Sequence, residues 1–142
     1  PGATVVKVPN VVDRTMLPTR RPDGTFRLLF TGNLGFAPNS EGLRVFLDQA
    51  WPSVLARVPQ ARLDVVGIHP SELVFRLCAQ HGLHLHADVP TLEPHYAGCD
   101  AVIAPILFGS GTRIKILEAM AYGRPVVSTT MGAEGMGLVD GE

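Results

Sequence analysis

Residues 104–129 read "APILFGSGTRIKILEAMAYGRPVVST", and how this stretch is parsed decides the fold. Two apolar runs, one ending near Ile106 and one formed by "PVVST", are joined by a glycine-rich loop and a short segment with helical spacing. That segment carries one carboxylate, Glu118, beside its apolar side. Strand, loop, helix and strand in this order form one unit of an α/β layer, and similar units precede it.

Working outward toward the N-terminus, the pattern predicts strands at 26–32, 61–68, 83–87, 100–106 and 125–129. Helices are expected within 38–58 and at 70–82, 92–98 and 112–122, with Asn39 or Ser40 capping the first and Pro52 kinking or breaking it near Trp51. Strands apolar on both faces that alternate with helices make a parallel sheet covered on both sides, here a Rossmann-like, doubly wound layer. Residues 1–25 hold four prolines and little periodicity, and read as an interdomain segment ahead of a domain at 26–142. The chain starts without methionine and stops at "GLVDGE" after a strand-like run with no closing helix, so a piece of a longer protein is expected.

Composition narrows the partners. At 142 residues the chain is one domain in size, with 46% hydrophobic and 18% charged residues and a formal charge of −1. There is no basic excess of the kind that nucleic acid or anionic lipid demands. No apolar run approaches a membrane span. Cys78 and Cys99 each lie in apolar segments outside any metal spacing, which predicts packing roles in a reducing, cytoplasmic setting.

In a doubly wound sheet, ligands bind beyond the carboxyl ends of the strands, where the loop 106–112 must lie. Gly109 and Gly111 let backbone approach a ligand, and Ser110 or Thr112 can cap the following helix. A helix start reached through glycines suits a phosphate or diphosphate. Arg113 and Lys115 place two cations in the first turn, where the helix dipole disfavours them unless an anion is near. Ile116, Met120, Leu117, Ala121 and Ile114 form an arc expected to be buried, with Glu118 just past its edge and placed to accept two ribose hydroxyls. The plainer alternative pairs Glu118 with Lys115 on the helix surface. His81, His84 and His86 invite a metal reading, and His84 and His86 share one strand face, but no acidic or cysteine ligand is tied to them by spacing. No metal is therefore assigned. Neither a dinucleotide fingerprint nor a serine hydrolase elbow is in register.

Four segments, "VPNVVD" (8–13), "FTGNLGFAPNSEGLRVFLDQAWPSV" (30–54), "LDVVGIHP" (63–70) and "AGCDAVIAPILFGSGTRIKILEAMAYGRPVVSTTMGAEGM" (97–136), together resemble the C-terminal domain of retaining GT-B glycosyltransferases of group 1, family 4. The resemblance implies two Rossmann-like domains facing each other across a cleft, this chain being the half that binds a nucleoside-diphosphate sugar. Glu118 matches the second glutamate of the family's E-x7-E motif and resembles its ribose-binding position. The resemblance further implies backbone donors to the diphosphate from Ser110, Gly111 and Thr112, a base held by Val89 to Leu92, and Gly32 in a loop facing the cleft.

Two departures stand out. Ser110 occupies the place of the motif's first glutamate, and Asn33 and Asn39 fall where an arginine and a lysine are frequent. Arg113 and Lys115 are expected to take over part of that lost charge, the alternative being that Arg113 faces the absent domain or solvent. The implied activity is hexosyl transfer with retention and without a cofactor or bound metal, in glycan, polysaccharide or glycolipid biosynthesis. It belongs to the full-length enzyme, which the resemblance places in the cytoplasm or at the membrane's inner face. A GT-B-type nucleotide-sugar epimerase and a non-catalytic nucleotide-binding module remain as rivals.

Overall fold

The computed structural model describes residues 24–109 and 113–141, so the interdomain segment expected at 1–25 lies almost wholly outside the described residues. Five parallel strands, β1 (Arg27–Asn33), β2 (Arg62–Ile68), β3 (His84–Ala87), β4 (Ala101–Ala104) and β5 (Val126–Ser128), form one sheet in the order β3-β2-β1-β4-β5. The order reverses between β1 and β4. This is the Rossmann-like, doubly wound layer the alternation predicts, and the reversal marks where such sheets bind ligands.

Alternation along the strands sorts the core into two layers. Leu28 and Phe30 of β1, Leu63 and Val65 of β2 and Ile103 of β4 pack with Leu43, Leu47, Trp51 and Leu77 on one face. Leu29, Val66 and Val102 point the other way, against Tyr96, Cys99 and Ala119. Each large apolar side chain removed from water in this way contributes about 1.5–3 kcal/mol. Cys78 and Cys99 are free and buried, as their apolar settings predict.

The helices are α1 (Ala37–Gln49), α2 (Trp51–Arg57), α3 (Glu72–His81), α4 (Glu93–Gly98), α5 (Ile114–Ala121) and α6 (Thr130–Ala133). Helix α1 corrects the expected cap. Phe36 is its N-cap, without a side-chain bond, while Asn39 and Ser40 are buried in the first turn. Pro38 accounts for the shift, because its fixed φ starts a helix one or two residues ahead of the polar pair. The break expected near Trp51 falls at Ala50, where α1 ends and α2 begins with Pro52 in its first turn, a place that needs no N–H donor. Ser71 caps α3, and Gly82 closes it in the left-handed conformation at φ 62°. The expected strand at 100–106 is shorter, since Pro105 cannot continue the ladder. A short helix that the sequence pattern does not predict, α6, follows β5, with the Thr129 hydroxyl accepting from Gly132 N at 2.9 Å.

Helix α5 also differs from its predicted arc. Ile116 and Ala119 are buried, whereas Ile114 and Met120 are 47% and 49% exposed. The buried stripe is thus rotated toward the side that carries Lys115, and Ile114 turns into the cleft described next. No helix among the described residues is long and apolar enough to cross a membrane.

Candidate functional site

At the carboxyl ends of β1 and β4 lies a cleft of about 330 Å³. Thr31, Gly32 and Asn33 form its β1 wall, and Ala104 and Ile106 its β4 wall. The start of α1 contributes Pro38 and Asn39, and α5 with its preceding residue contributes Arg113, Lys115 and Glu118. Of the residues singled out in the sequence, the structure brings Gly32, Asn33, Leu92, Gly109, Arg113, Lys115 and Glu118 to this one cleft. Val89 packs instead against the smaller core layer, which Leu92 also touches. Ser110, Gly111 and Thr112 lie outside the described residues.

Glu118 is not paired with Lys115. Its Oε2 accepts the phenol of Tyr96 at 2.8 Å. Tyr96 is 1% exposed, lies 3.0 Å from Thr31 Oγ1 through its hydroxyl, and stacks on Tyr122 with centroids 5.1 Å apart. Burial first, and the nearby Glu118 carboxylate next, raise the Tyr96 phenol well above its ordinary value, so it stays a donor. Arg124 fixes the other end of this arrangement. Its guanidinium donates to Tyr96 O at 3.0 Å and Ala97 O at 2.7 Å, a cation placed at the carboxyl end of α4.

Lys115 reaches across to β1. Its Nζ donates to Asn39 Oδ1 at 2.8 Å and sits 4.6 Å from the centroid of the Phe30 ring. Asn39 Nδ2 in turn donates to Asn33 O at 2.8 Å, and Asn33 Oδ1 accepts from Gly35 N at 3.0 Å. Gly32 makes this close approach feasible. Its φ is 147°, and a Cβ there would lie 2.9 Å from Asn39 Nδ2 and 3.2 Å from Lys115 Nζ. Burial, with Arg113 adding to it and Glu118 opposing it, lowers the Lys115 ammonium from 10.5 to about 8. A cation so desolvated gains from any anion that enters the cleft.

Arg113 is held by carbonyls, donating to Met131 O at 2.9 Å and Gly109 O at 3.4 Å. Its Nε is buried with no partner among the described residues. Gly109, at φ 98°, closes against Pro38, where a Cβ would lie 2.9 Å from Pro38 Cγ. The cleft therefore presents one carboxylate with fixed orientation and two cations beside a glycine-bounded loop. Such a set can accept hydroxyls at one end and bind a phosphate anion at the other.

Tyr96, Thr31 and Arg124 escaped sequence reasoning. The one signal was a tyrosine within an apolar helical segment, whose hydroxyl would need a partner if buried.

Comparison with known proteins identifies the family. The family model described as glycosyl transferases group 1 matches residues 25–141. A protein of Klebsiella pneumoniae named "Uncharacterized 44.6 kDa protein in cps region" is 32% identical over 123 residues, covering 81% of this chain and 32% of that protein. The phosphatidyl-myo-inositol mannosyltransferase of Mycobacterium tuberculosis is 30% identical over 150 aligned positions, covering 99% of this chain and 39% of the enzyme. The chain thus spans only about a third of the length of these curated relatives. Among solved structures, a mutant of S. aureus TarM in complex with fondaparinux, alpha-GlcNAc-glycerol and UDP superposes with a TM-score of 0.65 at 15% identity, over 84% of this chain and 24% of TarM. At that identity the likeness establishes the fold.

Proposed function

The chain belongs to the group 1 glycosyltransferases, and from that premise we propose that it is the donor-binding domain of a retaining enzyme, which transfers a hexose from a nucleoside-diphosphate sugar to an acceptor. The observation that carries the reading is Glu118, a cleft carboxylate oriented by a buried tyrosine, with Lys115 and Arg113 beside it. The carboxylate accepts the ribose hydroxyls, and the cations bind the diphosphate. Asn39 stands where the family resemblance has a cation, and Lys115 of α5 brings its ammonium to that same place. The positive charge is thereby supplied from a different element.

Negative charge grows on the diphosphate as the sugar leaves. Groups already fixed around it, Lys115 Nζ and the Arg113 guanidinium, bind that state more strongly than the intact donor, which lowers the barrier. The acceptor is held mainly by a second domain outside this chain. The mycobacterial relative is named for mannosyl transfer to a phosphatidyl-myo-inositol, which supports a hexose donor and a glycolipid or polysaccharide product.

The reading is tested by titrating this chain with UDP, GDP, ADP and UDP-glucose while following the amides of Gly109 and of Arg113 to Glu118. Saturable shifts with one diphosphate preferred, lost in Glu118→Gln, are expected. Equal silence toward all four in both this chain and the full-length protein would sink the proposal. Product analysis of the full-length enzyme with and without acceptor separates transfer from epimerisation.

A further inference from the structure

On the face of the sheet that carries the smaller core layer, but outside the cleft, the register of β2 against β3 assembles a second cluster. Asp64 pairs with His84, and Val66 with His86, so Asp64, His84 and His86 project from adjacent strands. One ligand atom from each of the three lies within 4.8 Å of the others. His95 of α4 closes on the same spot, its ring centroid 4.8 Å from that of His86.

Hydrogen bonding within the cluster does not account for this convergence. The His86 Nε2 to Asp64 Oδ1 separation is 3.8 Å, too long for a hydrogen bond. It is close to the roughly 3.3 Å that separates two ligands bound tetrahedrally to one ion at about 2.0–2.1 Å each. His86 and Asp64 keep side-chain exposures of 39% and 31%, enough to let an ion enter and the side chains close the remaining gap.

We propose that Asp64, His84 and His86, with His95 alongside, form a binding site for a divalent transition metal of the zinc class. Two imidazoles and one carboxylate select such an ion over Mg2+ or Ca2+, which prefer sets made wholly of oxygen. The site would join β2 to the edge strand β3 and to the start of α4. The 88–92 connection, whose Leu92 lines the cleft, would then be anchored from behind. Its role is structural and separate from the chemistry of sugar transfer.

The test is calorimetric titration of this chain, metal-free and without an affinity tag, with Zn2+ and separately with Mg2+. One Zn2+ per chain is expected, with no saturable heat from Mg2+. His84→Gln and His86→Gln should each weaken Zn2+ binding by about tenfold or more, while His81→Gln leaves it unchanged. In the unsubstituted chain the ring resonances of His84 and His86 should move together on addition of Zn2+, which needs no variant to fold. Binding that survives both substitutions, or the lack of saturable Zn2+ binding in the unsubstituted chain, would overturn the assignment.

Discussion

The Tyr96 hydroxyl holds Glu118 Oε2 at 2.8 Å across the gap between α4 and α5, although the two residues are 22 positions apart in sequence. Tyr96→Phe deletes that donor and leaves Thr31 Oγ1 and the carboxylate short of a partner. Loss of a buried bond of this kind costs about 1–3 kcal/mol, visible as a lower urea midpoint. Nucleotide affinity should fall as well, because the carboxylate is no longer oriented. A Tyr96→Phe domain with unchanged nucleotide affinity would show that the phenol serves stability alone.

Lys115 sets a pH dependence. Its folded value of about 8 lies below the ordinary 10.5, so between those two values the unfolded chain binds more protons than the folded one. Its destabilising contribution is therefore in full force below about pH 8 and is relieved as pH rises toward 10.5. Diphosphate binding runs the other way, since it favours the ammonium that faces Asn39, Arg113 and Glu118. Affinity for a nucleoside diphosphate should be greatest below about pH 8 and decline above it. Lys115→Met should flatten that profile and weaken binding roughly tenfold or more, the worth of a charge-assisted bond. Calorimetry across the pH range reads both.

Arg113 is expected to act on the phosphates. Charge reversal by Arg113→Glu should reduce affinity for a nucleoside diphosphate far more than for the corresponding nucleoside. Equal losses for the two ligands would assign Arg113 to packing against Met131 and Gly109.

Gly32 and Gly82 separate two effects of adding a methyl group. At Gly82 a Cβ meets nothing within 4 Å, so Gly82→Ala carries only the strain of a left-handed φ, about 1–2 kcal/mol. At Gly32 the same change also presses on Asn39 and Lys115. Both variants should lose stability in urea melts, but only Gly32→Ala should also weaken diphosphate binding.

The two thiols report on unfolding. Burial pushes Cys78 and Cys99 each up to about 11, so little thiolate is present near neutrality. A disulfide reagent should modify them only as fast as the domain opens, and faster in Tyr96→Phe. Rapid stoichiometric labelling of the native domain would contradict the packing of both side chains.

Periodicity made the strands and the main helices legible, because a two-faced sheet requires apolar runs separated by helical spacing. It could not show what depends on register between distant elements. Lys115 meets Asn39 from 76 residues away, and Asp64 meets His84 through the alignment of β2 with β3. Glu118 lines the cleft although the buried arc it was placed beside is rotated, and its partner stayed hidden, since nothing in the spacing of α4 indicates which way Tyr96 turns. The expected caps at Asn39 and Ser40 failed for a local reason: Pro38 outweighs polar capping at that helix start. Helix α6 is only four residues long, too short for a periodic signal.

Arg124 grips the carbonyls of Tyr96 and Ala97 while the Tyr96 side chain grips Glu118. The loop of contacts runs from α5 through α4 and back to Arg124, two residues before β5. No rotation of α4 against α5 can occur without breaking a charged contact and a buried one together. The two helices are thus tied to one another, and a motion that widens the cleft while these contacts hold has to leave α4 and α5 moving together.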